Sequence, residues 1–386
     1  MTVVYRDIHP NHYSHLRRNT EKITSNRPVQ ANSMSRPNID VPIPRLTVAL
    51  VVAAVAFSAF TGVALAGGSA GTATTTIDSC ATIDESGHYR LGADIEDSTA
   101  EECIEIEASG VTLDGDGRTI DGVGNDSNIG VAVESNESLA NVTVTNLTVT
   151  DWGAGVQYRN VANGAVTAVN ATNNSEGIAL YSADDTTIEN TTAVDNEVGI
   201  YLDDSSTGNE VRANALTNNT NGIVLWASHE NSITNNTVEE SADNAITLAV
   251  GSENNTVAEN DVVTNDFGIV VDRSDGNDLT DNTVRNSTRD GIVLSGASNT
   301  TVADNRAGSN GRDGIVLYAA DGNRIVDNNV TDNERNGIGL YSSLDLIVQG
   351  NTLSGNGEAI YDSFSEGDIQ NETGEDGQRA LTPTSA

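Results

Sequence analysis

Short runs in which apolar and polar residues alternate recur along most of the chain, and the clearest run is a tetrad of the form Gly-Ile-x-Leu. The tetrad or a close variant starts at Gly177, Gly199, Gly222, Ala245, Gly268, Gly291, Gly314 and Gly337, with weaker copies at Gly155 and Ala359. Alternation with a period of two predicts strands, and no stretch of the repeat keeps the i, i+3, i+4, i+7 spacing of a helix. Each repeat of about 23 residues is therefore predicted to hold about three short strands joined by tight turns.

An asparagine follows the second apolar run of each repeat at a fixed distance. The row comprises Asn214, Asn236, Asn260, Asn282, Asn305 and Asn328, with Gly350 in the next repeat. Asparagine and glycine both tolerate a positive φ, so this row predicts one left-handed turn per repeat. Its amides would also form a hydrogen-bonded ladder between repeats. A ligand-binding role for these asparagines is the alternative.

A repeat of this length cannot bury its own apolar side chains, but a stack of identical coils encloses a continuous core. We expect one buried stack to comprise Ile178, Ile200, Ile223, Ile246, Ile269, Ile292, Ile315 and Ile338, and its neighbour to comprise Leu180, Leu202, Leu225, Leu248, Val271, Leu294, Leu317 and Leu340. The predicted fold is all-β, a single-stranded parallel β-helix whose coils form a solenoid. A leucine-rich repeat would need helical segments, and a propeller would need a period nearer ~40 residues.

These repeats resemble the NosD-like family of right-handed parallel β-helix proteins, with PbH1 repeats of the carbohydrate-binding-and-hydrolysis (CASH) type. The resemblance covers about residues 77–363 and implies a right-handed solenoid, but it is specific to a fold and not to an activity. Residues 80–122 also resemble the opening of exported archaeal β-helix proteins, so we assign residues 77–122 as an amino-terminal cap. Cys80 and Cys103 lie within it, and their spacing in an exported chain suits a disulfide that closes one coil. A reactive thiol pair is the alternative.

Acidic residues dominate the composition, with 56 Asp and Glu against 19 Lys and Arg and a formal net charge of −37 over 386 residues. A nucleic-acid binder is excluded, because it needs cations to replace phosphate counterions. A dispersed acidic excess with a single lysine, Lys22, resembles the proteins of halophilic archaea, which stay hydrated in concentrated salt. A generic acidic exterior is the alternative.

The amino-terminal part of the chain contains an export or membrane segment. Residues 46–66 are uncharged and long enough to cross a ~30 Å hydrocarbon core as a helix. The polar, basic leader at residues 1–45, within which Met34 is a second candidate start, orients the remainder outside the cytoplasm. Residues 64–66 also fit a signal-peptide cleavage site, so a secreted protein and a membrane-anchored one are both expected. Residues 67–76 are predicted to be a flexible spacer and residues 364–386 an acidic disordered tail.

Metal ligands are scarce in the exported part. The NosD name is associated with copper delivery, which requires imidazole or sulfur ligands. Beyond Ala66 the chain has only His88 and His229, the two cysteines and no methionine. We therefore predict no metal site and no cofactor, and no EF-hand or RTX-type repeat supports Ca²⁺ binding by the carboxylates.

One strand surface gathers six of the 15 aromatic residues. The residues after the Ile and the Leu of each tetrad point outward, and they include Tyr181, Tyr201, Asp203, Trp226, Asp272, Tyr318, Tyr341 and Tyr361. Aromatic rings offer an apolar surface with a polar edge, on which sugar rings can stack. We predict that this surface binds carbohydrate or another cell-surface polymer through Tyr181, Tyr201, Asp203, Trp226, Tyr318 and Tyr341. Cross-coil packing without any ligand is the alternative.

Two other functions fit the same sequence. A polysaccharide lyase or glycoside hydrolase would use Asp203 or Asp272, with Arg273 as the candidate base. Asp203 and Asp272 are predicted to lie three coils apart, about 14 Å, which exceeds the ~5–9.5 Å between the carboxylates of a glycosidase. The main hypothesis is therefore an exported, non-catalytic binding protein. An enzyme is the second hypothesis, and a purely structural surface spacer is the third.

Overall fold

The computed structural model describes residues 74–370, which form 36 β-strands and no helix. The strands follow a solenoid path of about 13 turns with about 23 residues per turn. Each turn contributes one strand to each of three faces, which we name A, B and C in the order in which the chain passes through them. The predicted all-β parallel solenoid is thus confirmed.

The strands are numbered in chain order. Face A contains β2 (Ala81–Ile83), β4 (Glu102–Ile106), β11 (Glu176–Tyr181), β14 (Val198–Asp203), β17 (Asn221–Trp226), β20 (Asn244–Ala249), β23 (Phe267–Asp272), β26 (Ile292–Ser295), β29 (Ile315–Tyr318), β32 (Asn336–Tyr341) and β35 (Glu358–Ser363). Face B contains β1 (Thr74–Ile77), β3 (Gly87–Leu91), β5 (Val111–Asp114), β12 (Thr187–Glu189), β15 (Glu210–Arg212), β18 (Ser232–Thr234), β21 (Thr256–Ala258), β24 (Asp278–Thr280), β27 (Thr301–Ala303), β30 (Arg324–Val326), β33 (Leu346–Gln349) and β36 (Gly367–Ile369).

Face C contains β13 (Thr192–Val194), β16 (Ala215–Thr217), β19 (Thr237–Glu239), β22 (Asp261–Val263), β25 (Thr283–Arg285), β28 (Arg306–Gly308), β31 (Asn329–Thr331) and β34 (Thr352–Ser354). Three long strands turn corners and contribute to more than one face: β6 (Thr119–Val133), β8 (Thr143–Arg159) and β10 (Ala165–Thr172). A separate two-stranded pair is formed by β7 (Leu139–Ala140) and β9 (Val161–Ala162).

Equivalent residues of successive coils pair in parallel, which places like side chains on top of one another. Ile223 pairs with Ile246, and Ile246 pairs with Ile269. The predicted isoleucine and leucine stacks are both present and completely buried. The tetrad begins with glycine in most coils because there is little room for a side chain, and Ala245 and Ala359 are the exceptions. A Cβ on Gly222 would come within 2.4 Å of the carbonyl oxygen of Ala245.

Buried asparagines form a ladder at each of the three corners, where the sequence pattern revealed only one. At the B/C corner, Nδ2 and the backbone N–H of Asn236 both donate to Oδ1 of Asn260, each at 3.0 Å. The same arrangement recurs at the A/B corner through Asn209, Asn231, Asn255 and Asn277, and at the C/A corner through Asn174, Asn196 and Asn219. The ladders satisfy the polar groups that the turns would otherwise bury without partners.

The left-handed turn residue is the one before each ladder asparagine, so our assignment of the positive φ to the asparagine row was wrong by one position. Asn235, Glu259 and Asp281 have φ angles of 55°, 58° and 55°. Gly350 (φ 70°) belongs to this turn row, and Asn351 occupies the ladder position, accepting a 2.9 Å hydrogen bond from Asn328. An L-residue in the left-handed turn directs its side chain outward, whereas the next residue returns to the interior.

Both ends of the solenoid extend slightly beyond the predicted limits. β1 begins at Thr74, inside the predicted spacer, because it pairs with β3. β36 lies inside the predicted tail and pairs with β33. Cys80 and Cys103 form the predicted disulfide, with their Cα atoms 4.4 Å apart.

The predicted leader (1–45), the membrane or signal segment (46–66) and most of the spacer and tail lie outside the described residues. Within residues 74–370, no helix has the length and apolar character needed to span a bilayer.

Candidate functional site

Face A presents three outward rows of side chains, in the order in which each strand passes through them. The first row contains Glu176, Val198, Asn221, Asn244, Phe267, Asp290, Asp313 and Asn336. The middle row contains Ala179, Tyr201, Val224, Thr247, Val270, Val293, Val316, Gly339 and Tyr361. The last row contains Arg159, Tyr181, Asp203, Trp226, Ala249, Asp272, Ser295, Tyr318, Tyr341 and Ser363.

The last row forms most of the accessible surface of face A, because its side chains and those of the first row cover the middle row. In the middle row Tyr201 is only 3% exposed, and Tyr361 alone reaches 36%. In the last row Asp203, Trp226, Tyr318 and Tyr341 are all partly exposed, whereas Tyr181 is 8% exposed. The rings of Tyr181 and Tyr201 therefore pack within the face, and Trp226, Tyr318 and Tyr341 are the predicted ligand residues whose rings reach solvent.

A compact cluster of tyrosines and acids occupies the amino-terminal half of face A. The Tyr181 hydroxyl donates to the carboxylate of Glu176 at 2.8 Å, and the Tyr201 hydroxyl donates to Asp203 at 2.8 Å. The two rings meet edge to face with centroids 5.9 Å apart. The guanidinium of Arg159 lies 4.5 Å from the centre of the Tyr181 ring. We name Glu176, Tyr181, Tyr201 and Asp203 the tyrosine–acid cluster.

Burial sets the electrostatics of this cluster. It raises the pKa of Glu176 to about 7, and the nearby charge of Asp203 adds to the rise. Burial, followed by the adjacent carboxylates, also raises the pKa values of Tyr181 and Tyr201 above their ordinary range. Glu176 is therefore a carboxyl group that stays partly protonated near neutral pH, one coil away from a second carboxylate. Our sequence reasoning missed Glu176, although it directly precedes the tetrad glycine Gly177.

A stack of tyrosines occupies the carboxyl-terminal half of face A. The ring centroids of Tyr318 and Tyr341 are 5.0 Å apart with an interplanar angle of 21°, and those of Tyr341 and Tyr361 are 5.2 Å apart. Because neighbouring rings cover one another, a ligand would meet the ring edges and hydroxyl groups of Tyr318 and Tyr341. We name Tyr318, Tyr341 and Tyr361 the tyrosine stack.

An ion pair between the partly exposed Arg335 and the buried Asp313 supports the tyrosine stack. Arg335 donates to both carboxylate oxygens of Asp313, at 2.7 and 2.6 Å, and Asp313 has no exposed surface. The Asn336 amide donates to the same carboxylate at 2.8 Å. Gly339 in the middle row leaves space for this pair, since a Cβ there would lie 2.7 Å from Asp313. The sequence signal was an arginine two residues before the tetrad glycine in three successive repeats, as Arg-Asp-Gly at 289–291 and 312–314 and as Arg-Asn-Gly at 335–337. Our sequence analysis did not use it.

An apolar patch separates the two polar clusters on the outside of face A. It comprises Phe267, Val270, Val293 and Val316, against which Tyr318 and Tyr341 pack. The guanidinium of Arg289 lies 5.0 Å from the centre of the Phe267 ring and covers it. This patch stabilises the outer layer of the sheet, as cross-strand apolar pairs do.

The structure keeps the candidate catalytic residues apart. Asp203 is followed in the last row by Trp226, Ala249 and then Asp272, so the two carboxylates are three coils apart, in the predicted register. Arg273 forms an ion pair with Asp272 at 2.8 Å and has a positive φ of 47°. The charged partner of Asp272 is thus Arg273 itself, and the carboxyl group close to Asp203 is Glu176.

Two family models match the chain. Residues 104–288 match the family described as periplasmic copper-binding protein (NosD), and residues 221–373 match the one described as right handed beta helix region. The resemblance to NosD-like right-handed β-helix repeats is thereby confirmed. No curated protein sequence matches the chain.

Several solved structures are similar in fold at low sequence identity. The Dettilon tailspike protein is 18% identical with a TM-score of 0.51, and the match covers 75% of this chain and 60% of the tailspike chain. The A-module of the mannuronan C-5 epimerase AlgE6 of Azotobacter vinelandii is 16% identical with a TM-score of 0.44, covering 78% and 91% of the two chains. The periplasmic alginate epimerase AlgG is 18% identical with a TM-score of 0.40, covering 71% and 64%. The likeness to the tailspike protein, with a TM-score above 0.5, shows a shared fold alone.

The donor set of residues 74–370 does not fit the copper in the name of the NosD family. His88 lies on β3 of face B, and Nδ1 of His229 accepts a 3.3 Å hydrogen bond from the backbone of Glu253. Cys80 and Cys103 are joined in a disulfide. No group of three or more His, Cys, Asp or Glu side chains within residues 74–370 is arranged to hold a metal ion. Copper prefers imidazole and sulfur ligands, which this part of the chain does not bring together.

Proposed function

We propose that the protein binds an uncharged extracellular polysaccharide along face A, with the last row as the contact surface. The observation that carries this proposal is the composition of that row, which holds the partly exposed rings of Trp226, Tyr318 and Tyr341 together with the carboxylates Asp203 and Asp272. Of the 15 aromatic residues in the chain, seven lie in the outward rows of face A: Tyr181, Tyr201, Trp226, Phe267, Tyr318, Tyr341 and Tyr361. The fold shared with a tailspike protein is compatible with this function but does not specify it.

The chemistry of the row suits a sugar chain. Carboxylates accept hydrogen bonds from sugar hydroxyl groups, and an aromatic side chain presents apolar area together with a polar edge. Trp226 and Tyr318 are four coils apart, about 19 Å along the solenoid. A polymer that lies along the axis can therefore contact both rings, whereas a monosaccharide reaches only one.

The charge of the chain favours an uncharged polymer. A net charge of −37 repels polyanions except where salt screens it. The arginines in or beside the last row are engaged by acids, Arg159 by Glu134, Arg273 by Asp272 and Arg335 by Asp313. We therefore expect an uncharged glycan to bind better than alginate, a polyanion, with the difference largest at low salt.

We further propose an extracellular or cell-surface location, with residues 46–66 as the export or anchoring segment. The disulfide between Cys80 and Cys103 supports an oxidising compartment. The acidic composition supports a halophilic archaeal source, in which the acidic surface keeps the protein hydrated.

The binding test uses the full chain in high salt with three uncharged polysaccharides, mannan, laminarin and dextran, and with alginate. We expect measurable binding to at least one uncharged polymer and a loss of at least tenfold in affinity for Tyr341→Ala or Trp226→Ala. Leu344→Ala is the matched control, because Leu344 is also a partly exposed apolar residue (44%) but lies in the turn after face A. Absence of binding to all three uncharged polymers would favour the structural spacer and contradict the proposal.

A hydrolase or lyase on the same face is the second candidate, and Glu176 is the observation that favours it. A carboxyl group with a pKa of about 7 can act as a general acid near neutral pH, and Asp203 on the next coil could serve as its anionic partner. Release of reducing ends from mannan, laminarin or dextran, abolished by Glu176→Gln or Asp203→Asn, would establish catalysis. Binding without release by the unmodified chain would leave the non-catalytic function.

A further inference from the structure

Within residues 74–370 the asparagines that could accept a glycan are exposed, and the ladder asparagines are buried. Every asparagine in residues 74–370 that begins an Asn-x-Ser/Thr sequence is exposed: Asn125, Asn136, Asn141, Asn146, Asn170, Asn173, Asn190, Asn218, Asn235, Asn254, Asn286, Asn299 and Asn329. None of the buried ladder asparagines begins such a sequence, because an inward apolar residue stands two positions after most of them. Asn236, for example, is followed by Thr237 and the buried Val238.

One corner arranges these sequences in a regular row. At the B/C corner, on the side of the solenoid away from face A, Asn146, Asn190 and Asn235 occupy the left-handed turn position with φ angles of 56°, 51° and 55°. They occur on every second coil, about 9.6 Å apart. Thr148, Thr192 and Thr237 stand two residues after them.

The intervening coils differ at both positions. Ala168 and Ala213 occupy the turn position, and Asn170 and Ala215 stand where the other coils have threonine. Ala168 and Ala213 adopt the left-handed conformation with φ angles of 52° and 55°. This conformation costs an alanine roughly 1–2 kcal/mol relative to glycine. These alanines leave no side chain beyond Cβ at the turn position between neighbouring asparagines. At the turn position the row therefore alternates asparagine with alanine, while the acceptor asparagine Asn170 of one intervening coil lies two positions further on.

The C/A corner also has exposed acceptor sequences, but its surroundings differ. The side-chain amides of Asn173 and Asn218 donate to Asp151 and Asp195 on the preceding coils. At the B/C corner the Asn146 amide also donates to an acid of the preceding coil, Asp114, at 3.1 Å, whereas the amides of Asn190 and Asn235 make no such contact within residues 74–370. The C/A corner borders face A.

We propose that Asn146, Asn190 and Asn235 are N-glycosylated, so that glycans project from every second coil of the B/C corner. The acceptor chemistry is a group transfer from a lipid-phosphate-linked oligosaccharide. The Nδ2 atom forms a bond to the anomeric carbon, the bond from that carbon to the phosphate oxygen breaks, and the phosphate leaves with the electron pair. One amide proton is lost to a base, and the second N–H remains on the modified side chain. The proposal does not depend on what face A binds.

The test is peptide mass mapping of the full chain purified from its native host. We expect a glycan mass on the peptides that contain Asn146, Asn190 and Asn235. Thr148→Ala, Thr192→Ala and Thr237→Ala should each remove the mass from the preceding asparagine, and the matched Thr→Ser variants should keep it. Asn235→Asp offers a second control, because aspartate also tolerates the left-handed turn but cannot be an acceptor.

Two outcomes would overturn the proposal. The first is unmodified asparagine at all three positions in protein from the native host. The second is a glycan confined to other sequences, such as those of the C/A corner. The Thr→Ser and Thr→Ala variants should both be secreted and folded. A glycan that is present in the first and absent from the second is then a result of the lost acceptor sequence and not of misfolding.

Discussion

At the scale of single residues, the role of an asparagine depends on one step along the chain. Asn235 lies in a left-handed turn and is exposed, and its neighbour Asn236 is 1% exposed and fully hydrogen-bonded. The sequence showed that asparagine recurs with the repeat, and the predicted ladder is present. It did not show which of two adjacent positions carries the positive φ, because asparagine, aspartate and glycine are all compatible with that turn.

Because of the ladder, Asn282 contributes much more to the free energy of unfolding than its neighbour Asp281. Asn282 accepts hydrogen bonds from Asn260 and donates to Asn305 (3.0 Å) and to the carbonyl oxygen of Val257 (2.8 Å). Asn282→Ala should lower the free energy of unfolding by about 3 kcal/mol, because it leaves buried polar groups without partners. Asp281→Asn, which keeps the adjacent turn, should change it by less than about 0.5 kcal/mol. Urea unfolding measures both, and equal effects would contradict the ladder account.

The raised pKa of Glu176 predicts a specific pH dependence of stability. The folded state keeps a proton on Glu176 up to about pH 7, whereas the unfolded state releases it near the ordinary value of 4.5. The free energy of unfolding therefore falls as pH rises through this window. Between pH 5 and pH 8 the unmodified chain should lose about 2–3 kcal/mol more than Glu176→Gln. Urea titrations at both pH values test this, with the exposed Glu210→Gln as control, and parallel losses in all three proteins would refute it.

At the scale of strands, position within a row decides which side chains reach solvent. The alternation of the tetrad correctly predicted which residues point out of face A. It could not predict that the middle row would be covered, because that depends on side chains contributed by the flanking rows and by neighbouring coils. Tyr201 and Trp226 therefore look equivalent in the sequence, yet Tyr201 is buried and Trp226 is partly exposed.

The Arg335–Asp313 pair is the strongest polar contact that supports the strands beneath the tyrosine stack. Asp313 is fully buried, so removal of its partner leaves a carboxylate without a countercharge. Arg335→Gln should lower the free energy of unfolding by about 2–3 kcal/mol. Arg285→Gln is the matched control, since its pair with Asp261 is solvent-exposed on both sides and should contribute less than about 1 kcal/mol. A smaller loss in Arg335→Gln than in Arg285→Gln would show that the Arg335–Asp313 pair is not stabilising.

At the scale of the whole molecule, the fold was predictable because each repeat carries the same information. A 23-residue period and stacked isoleucines are sufficient to indicate a solenoid, and the disulfide followed from the cysteine spacing. The functional surface was less predictable, because the contacts that define it join coils. Glu176 meets Tyr181 within one strand, but the coupling of Glu176 to Asp203 exists only after the coils stack.

The surface of the whole molecule separates into a face and a corner with different chemistry. Face A carries the partly exposed rings of Trp226, Tyr318 and Tyr341, and the B/C corner carries the proposed glycan acceptors. Glycans on that corner would leave face A open to a polymer. Polymer binding by face A and glycosylation of the B/C corner nevertheless involve different residues and are tested by different experiments.

The most direct test of the central claim is hydroxyl-radical footprinting of the full chain with and without a saturating uncharged polysaccharide, either mannan, laminarin or dextran. We predict protection of Trp226, Tyr318 and Tyr341 on face A and unchanged oxidation of Tyr89 on face B. Protection confined to face B or face C, or no protection by any of the three polymers, would contradict the assignment of face A as the binding surface.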